Sequence, residues 1–566
     1  MKTTIKEIFQ AEGYSIPNYQ RDYAWKDKNF KDLWEDLEEA IEYNKKGQGH
    51  FIGTMVVAKN EDNKKLYDII DGQQRTTTIF MLLHVLANEQ NEKDKQETRK
   101  YLYQKGELKL EVAPQNQSFF KALLEAAKKG DISHCEKDAD TEGEQNLFEV
   151  LKAILDKVSK LNKEEVNERL EVLLEMVLMR LEEPDPGRAI RTFQSVNDRG
   201  VPLLLLDKLK SLLIYYSNTF CDGKMGLDQF INDHFGEIFK IFAKIKKSNH
   251  ISSVGDSKLD EGDIFRYHAG SQKFDGIDFL GHYRASTEDT YEQLKDKLKE
   301  VRKGKLKNFI RYYVSDLKNF YQAFLDLLSE IDTNPTTFKA MLINKINPFF
   351  FNSLIRLKIN NELDDETMRL FAKTDIVFFK VGRSQANAYN LIKEYLQKGK
   401  EGLKSEMIAQ CRNYIEQVSW KLVKNASDLS CFHYIFFEKN YQEMGLVDLK
   451  KLIREKQSSQ QEEHIIPNNL LKLDNEIEIQ KLGFEDKKDL EDYIDTYGNL
   501  ISLEKSLNRK ASDKDLYGKD EIYKNSEIPF NRRFNVKGFN KKALIARNDE
   551  MREWLINTFF KDFATQ

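Results

Sequence analysis

His464 sits in the run Glu462-Glu463-His464-Ile465-Ile466-Pro467, with Tyr497-Gly498-Asn499-Leu500 and then Asn508-Arg509-Lys510 downstream. A histidine at the end of a strand can deprotonate water, while an oxygen-held divalent cation stabilises the charge that develops on a phosphate. Glu463 and Asn508 are oxygen donors of the kind magnesium or manganese prefers. No histidine lies between His433 and His464, so no second imidazole is near in sequence, and an oxygen-rich ligand set is expected rather than a zinc-type one. Ile465, Ile466 and Pro467 give an extended exit from His464, Asn499 to Leu503 reads as a second strand, and Lys505 to Lys514 as a short helix carrying Asn508. Taken singly, His464 reads more readily as a strand cap and the two asparagines as turn residues. Their order and spacing together point to cutting of a phosphodiester.

The basic residues from Lys505 to Arg547 outnumber the acidic ones, and they include Arg509, Lys510 and Lys519, which suits contact with a phosphate backbone beside the site. A solvated basic face is the alternative.

A second constellation lies near the N-terminus, in Ile16-Pro17-Asn18-Tyr19-Gln20-Arg21-Asp22-Tyr23-Ala24-Trp25 and in Asp68-Ile69-Ile70-Asp71-Gly72-Gln73-Gln74-Arg75-Thr76-Thr77. Gly72 permits a tight turn between a strand and a helix from Thr76, whose first amides point at whatever sits there, and Arg75 adds a planar fork of donors. That combination suits a polyphosphate, with Arg21 as a second positive contact and Asp71 as a group that holds a cation or positions water. The alternative is an ordinary strand-to-helix turn. Tyr19, Tyr23 and Trp25 could stack on a base or fill a core.

These residues need several elements to position them. The chain has 566 residues, 32% of them charged, with only 9 prolines, which points to several mostly helical domains rather than disorder. Its net charge of −4 argues against indiscriminate nucleic-acid binding by the whole surface. Four scattered cysteines form no C-x-x-C pair, and no apolar run is long enough for a signal peptide or a membrane span, so a cytoplasmic protein with reduced thiols is expected. Periodicity predicts a helix near Phe30 to Tyr43, strands at Phe51 to Ala58 and Leu66 to Ile70, a helix from Thr76 to about Asn88, and helical structure from about Gln115 to Arg180. Leu147, Val150, Leu151, Ile154 and Leu155 mark one apolar stripe there. Glu182 to Gly187 interrupts this pattern, little but helix follows from about Leu205 to Lys456, and polar Lys456 to Gln461 reads as a linker. The expected fold class is multidomain α+β, mostly helical, with domains at 1–215, 216–455 and 456–566.

The C-terminal motif resembles the HNH (His-Me finger) domain of GmrSD-type restriction proteins, on Glu463-His464-Ile465-Ile466-Pro467, Gly498-Asn499-Leu500 and Asn508-Arg509. The resemblance implies a ββα-metal nuclease with His464 as general base, Glu463 and Asn508 as metal ligands, and Asn499 orienting the imidazole. The family usually has Gln after the proline, whereas this chain has Asn468. The N-terminal clusters, with Gly49 to Thr54 and Phe193 to Leu203, look like the N-terminal domain of the same family, which is similar to the ParB/sulfiredoxin fold and hydrolyses nucleoside triphosphate. That implicates Gln20, Arg21, Asp71, Gly72, Gln73, Gln74 and Arg75, while Asn197, Arg199 and Gly200 read as a closing loop or as a plain turn. The implied whole is a modification-dependent DNA endonuclease of bacterial antiphage defence, a nickase or a double-strand cutter. Its implied partners are modified phage DNA and a nucleotide, with no membrane and with a homodimer left open. Two competing readings are a nucleotide-switched DNA-binding regulator without cleavage and a nuclease without triphosphatase activity.

Overall fold

The computed structural model describes the chain apart from residues 1, 12, 19, 21, 45–49, 61–62, 64, 184–204, 222–224, 251–258, 275–276, 280–285, 302–303, 382–387, 442–444, 455–459, 473–475, 513 and 565–566. Arg21, Tyr19 and the segment from Phe193 to Leu203 therefore lie outside the described residues. The rest forms two compact units, one of Met1–Lys246 with Thr287–Gln322 and one of Lys247–Ser286 with Ala323–Gln566. Residues 216–246 thus belong with the N-terminal region, and residues 456–566 are compact with the helices before them.

The first unit is built on a six-stranded mixed sheet. Its strands are β1 (Lys2–Thr4), β2 (Gly13–Ser15), β3 (Phe51–Lys59), β4 (Leu66–Asp71), β5 (Leu110–Glu111) and β6 (Val177–Glu182), in the order β1-β6-β3-β4-β2-β5. The antiparallel β3–β4 pair carries a register shift at Val56/Val57 that leaves Asp71 opposite Val56. Four helices matter for the site: α1 (Asp27–Asn44), α2 (Gln73–Glu89), α3 (Glu142–Val158) and α4 (Lys163–Glu175). Capping boxes Thr141/Glu144 and Asn162/Glu165 start α3 and α4, each satisfying backbone amides that no helix turn can reach. The α3 stripe of Leu147, Val150, Leu151 and Ile154 is buried as its spacing predicts.

Two local expectations need correction. Helix α2 begins at Gln73, three residues before Thr76, because left-handed Gly72 (φ 88°) reverses the chain at once. Residues 177–182, read as the end of a helical stretch, form β6 between β1 and β3, where sheet pairing overrides local periodicity. α2 is buried along nearly its whole length. Its three threonines fit there because Thr76, Thr77 and Thr78 each donate a hydroxyl to the carbonyl four residues back, at 2.9, 2.8 and 2.9 Å.

The second unit is helical apart from two short strand pairs. One pair is β7 (Gln460–His464) with β8 (Leu500–Glu504), and near it in the chain stand the helices α5 (Phe432–Asn440), α6 (Lys505–Ala511), α7 (Leu516–Tyr523) and α8 (Lys541–Trp554). Among the described residues no helix is long and apolar enough to cross a membrane.

His84 on α2 reports on this packing. Its Nε2 meets the Tyr103 hydroxyl at 3.3 Å and its Nδ1 meets Asn88 at 3.2 Å. Burial, reinforced by the charges of Lys128 and Lys95, lowers its pKa from 6.5 to about 4. Between those values the unfolded chain binds more protons than the folded one, so this contribution to stability is complete above pH 6.5 and is lost as pH falls toward 4. Urea unfolding of the full chain across that window should show stability rising with pH, and His84→Gln should flatten the slope.

Candidate active site

His464 closes β7, and β8 returns antiparallel beside it with Glu462 opposite Ser502 and His464 opposite Leu500. The imidazole Nε2 lies 2.9 Å from Asp495 Oδ1. A carboxylate only accepts, so Nε2 carries a proton, and in the neutral imidazole this tautomer places the lone pair on Nδ1. The His464 side chain remains 22% exposed, enough for water or a phosphate to reach it. Asp495 was not singled out in the sequence, and 31 residues separate it from His464 with no motif to signal it.

Asn499 was expected to orient that imidazole. It instead lies fully buried and bonds backbone: its Oδ1 accepts from Ile466 N at 2.8 Å, and its Nδ2 donates to Ile466 O at 3.1 Å and Ile494 O at 2.9 Å. An amide offers a donor and an acceptor on one plane and so ties the exit of β7 to the turn before Asp495. Its action on His464 runs through the main chain. The same turn is held from α8, where Asn548 accepts from Gly498 N at 2.6 Å and Arg547 donates to Gly498 O at 2.6 Å. A Cβ on Gly498 would collide with the Leu544 carbonyl oxygen, which explains glycine in the Gly498-Asn499 pair.

Asn508 lies on α6 against β7, where its Nδ2 donates to Gln461 Oε1 at 3.2 Å and to Glu462 O at 3.3 Å. With the nitrogen committed, Oδ1 is the atom that can meet a cation. Glu463 is buried, and its Oε1 accepts from the Lys519 ammonium at 2.5 Å and from the Tyr523 hydroxyl at 3.0 Å. Glu463 and Asn508 offer the hard oxygens that a magnesium-type ion prefers, with Glu463 Oε1 already held by Lys519 and Tyr523. Among the described residues, no group of three His, Cys, Asp or Glu side chains converges as a metal cage.

Lys519 was expected to contact DNA. It is wholly buried, with its ammonium on Glu463 and on the His464 carbonyl, so the role of a surface phosphate contact is withdrawn. Arg509 and Lys510, on α6, are exposed.

A second imidazole does reach the strand pair, from outside the motif. His433 on α5 approaches Glu462 Oε1 at 3.3 Å and Ser502 Oγ at 2.9 Å. Burial pushes the Glu462 carboxyl up, but the hydrogen bond and charge of His433 outweigh it and hold the group below its ordinary range.

The N-terminal cluster is bound into one piece. Gln74 Oε1 accepts from Ala24 N at 2.7 Å and Trp25 N at 3.3 Å, its Nε2 donates to Asp22 O at 3.0 Å, and Gln20 donates to Ile70 O at 2.8 Å. These glutamines join the Gln20 to Trp25 loop to the β4–α2 turn. Gln73 is buried, whereas Asp71, Gly72 and Arg75 are half-buried. The Arg75 guanidinium lies over left-handed Gly53, where a Cβ would stand 2.7 Å from Nη1, and it reaches Thr54 O at 3.4 Å. Burial pulls its pKa below the ordinary range, while the nearby charges of Asp71 and Asp36 act against that. Tyr23 is core, its hydroxyl 2.6 Å from Thr78 Oγ1, and Trp25 packs partly buried on the same core.

Asn499→Ala should strand three buried backbone groups and lower stability by about 3–9 kcal/mol, taking roughly 1–3 kcal/mol for each unsatisfied group. The shift in urea midpoint of the full chain measures it, and a change under about 1 kcal/mol would contradict the hydrogen-bond account.

The chain matches the N-terminal domain of the GmrSD restriction endonuclease over residues 5–214 and the C-terminal domain of GmrSD restriction endonucleases over residues 411–554. No curated protein matches it. The second match spans His433, His464, Asp495, Asn499 and Asn508, and the first spans Gln20 and the Asp71 to Arg75 turn. On the strength of both matches, the chain belongs to the GmrSD family of restriction endonucleases.

Proposed function

We propose that this protein is a modification-dependent DNA endonuclease of bacterial antiphage defence, acting in the cytoplasm, with cutting centred on His464 and regulated by nucleoside triphosphate at the Asp71 to Arg75 turn. The observation that carries the reading is the His464–Asp495 pair at the end of an antiparallel strand pair, with the Asn508 helix following at once. That order, strand, strand and helix, is that of an HNH (His-Me finger) nuclease. In the mechanism, His464 Nδ1 takes a proton from the attacking water, and Asp495 steadies the imidazolium that forms. Arg509 and Lys510 hold the DNA backbone. Glu463 and Asn508 would hold magnesium or manganese, which supplies charge stabilisation to the phosphate and the leaving oxygen when bound.

In the N-terminal region, read as ParB/sulfiredoxin-like, the first amides of α2 and the Arg75 fork face the phosphates, and Asp71 positions water or a cation. Gln20 and Gln74 support that turn through the backbone. Nucleotide state then adjusts cutting by changing the affinity for DNA, and assembly as a homodimer is compatible with this scheme. A nucleotide-switched regulator that has lost cutting is disfavoured, because His464, Glu463 and Asn508 are all retained.

Modified and unmodified phage DNA incubated with magnesium, with and without nucleotide, tests the reading. His464→Ala should lower the cleavage rate by about 10²–10⁴-fold, the usual contribution of a general base, and equal rates would place the base elsewhere. Phosphate release from each triphosphate should exceed that of Arg75→Ala. Release equal to that background would remove nucleotide hydrolysis from the proposal.

A further inference from the structure

Lys519 is the most enclosed charge beside His464. Both Lys519 and Glu463 are removed from solvent, at 0% and 3% exposure, so neither charge is screened by water. α7 sends two donors to a single oxygen: Lys519 Nζ at 2.5 Å and, one turn later, the Tyr523 hydroxyl at 3.0 Å both reach Glu463 Oε1. The same ammonium donates to the carbonyl oxygen of His464. A buried ion pair is a poor way to gain stability, since desolvating both charges consumes most of their attraction and packed apolar side chains do as well. The pair therefore calls for another explanation, and its position between a cation ligand and the base residue supplies one.

We propose that Lys519 is a resident cation that guards Glu463: a divalent ion binds there only in competition with the ammonium, and ion loading is thereby coupled to how firmly the His464 main chain is held. The proposal rests on the reading of Glu463 and Asn508 as cation ligands. An ammonium and a divalent ion on one carboxylate repel strongly in a dry site, so the ammonium must weaken ion binding or give way to it. Removing the ammonium should then have two effects of opposite sign. The ion binds more tightly, because Glu463 has lost its internal partner. Turnover at saturating ion falls, because the His464 carbonyl has lost its donor. A purely structural lysine would weaken both together.

Manganese binding to the full chain, without DNA, is measured by the paramagnetic resonance signal of free Mn²⁺ for wild type, Lys519→Gln, Tyr523→Phe and Glu463→Gln. Lys519→Gln should bind at least tenfold more tightly while its cleavage rate at saturating Mn²⁺ falls, Tyr523→Phe should shift affinity less than Lys519→Gln, and Glu463→Gln should abolish binding. Unchanged or weaker binding by Lys519→Gln, with Glu463→Gln still abolishing it, overturns the guard and leaves the cation ligands standing. Equal binding by Glu463→Gln and wild type overturns both. Hydrogen exchange of the wild type gives a readout that does not depend on a variant folding. Added Mn²⁺ should speed exchange in residues 516–523, and unchanged or slower exchange there counts against the guard.

Discussion

The buried amide of Asn499 fixes the geometry around His464. Two of its bonds clamp Ile466 and the third clamps Ile494, so a single side chain ties the exit of β7 to the turn at Asp495. The Asn499 carbonyl adds a fourth tie, accepting from Ile465 N at 2.8 Å. These bonds add to the β7–β8 ladder and to the α8 contacts on Gly498 in holding His464 beside Asp495. Burial gives the amide this authority, since water cannot replace a lost partner at a site closed to it.

The N-terminal site is built in a similar way. Gln74 holds three backbone groups of the Asp22 to Trp25 loop, and Gly53 and Gly72 leave room for Arg75 and for the sharp reversal into α2. In both places side-chain amides bonded to main chain do the positioning, while the groups able to meet a ligand, such as Asp71, Arg75, His464 and Asp495, keep partial exposure. Glutamine and asparagine suit that task because they bond in both directions and carry no charge whose burial must be compensated.

Much of this was legible in the sequence, and the misses share a cause. The β3, β4 and β8 strands, the Asn508 helix and the α3 stripe follow from residue order and periodicity, whereas β7 begins at Gln460, inside the stretch that reads as a polar linker. β6 was hidden because its partners lie far along the chain and its own residues, Val177 to Glu182, also suit a helix. Asp495 and His433 escaped for the same reason, each being joined to the site across 29 or more residues. Lys519 was visible as a basic residue but not as a buried one, because only the packing of α7 on β7 reveals its partner. Asn499 reads in the sequence as an orienting residue for the imidazole, whereas its amide bonds backbone, which a motif of side chains cannot display.

The clamp at Asn499 also bears on how such an enzyme can change. Its bonds to Ile466 join residues 33 apart and close the intervening chain into a loop pinned at its neck. Once the neck is tied, lengthening a loop is cheap, about 0.6 kcal/mol for each doubling, since closure entropy grows only with the logarithm of length. Insertions between Pro467 and Ile494 would therefore leave the His464–Asp495 pair in place. That stretch is where a lineage under pressure from changing viral DNA can add or exchange surface without rebuilding the chemistry.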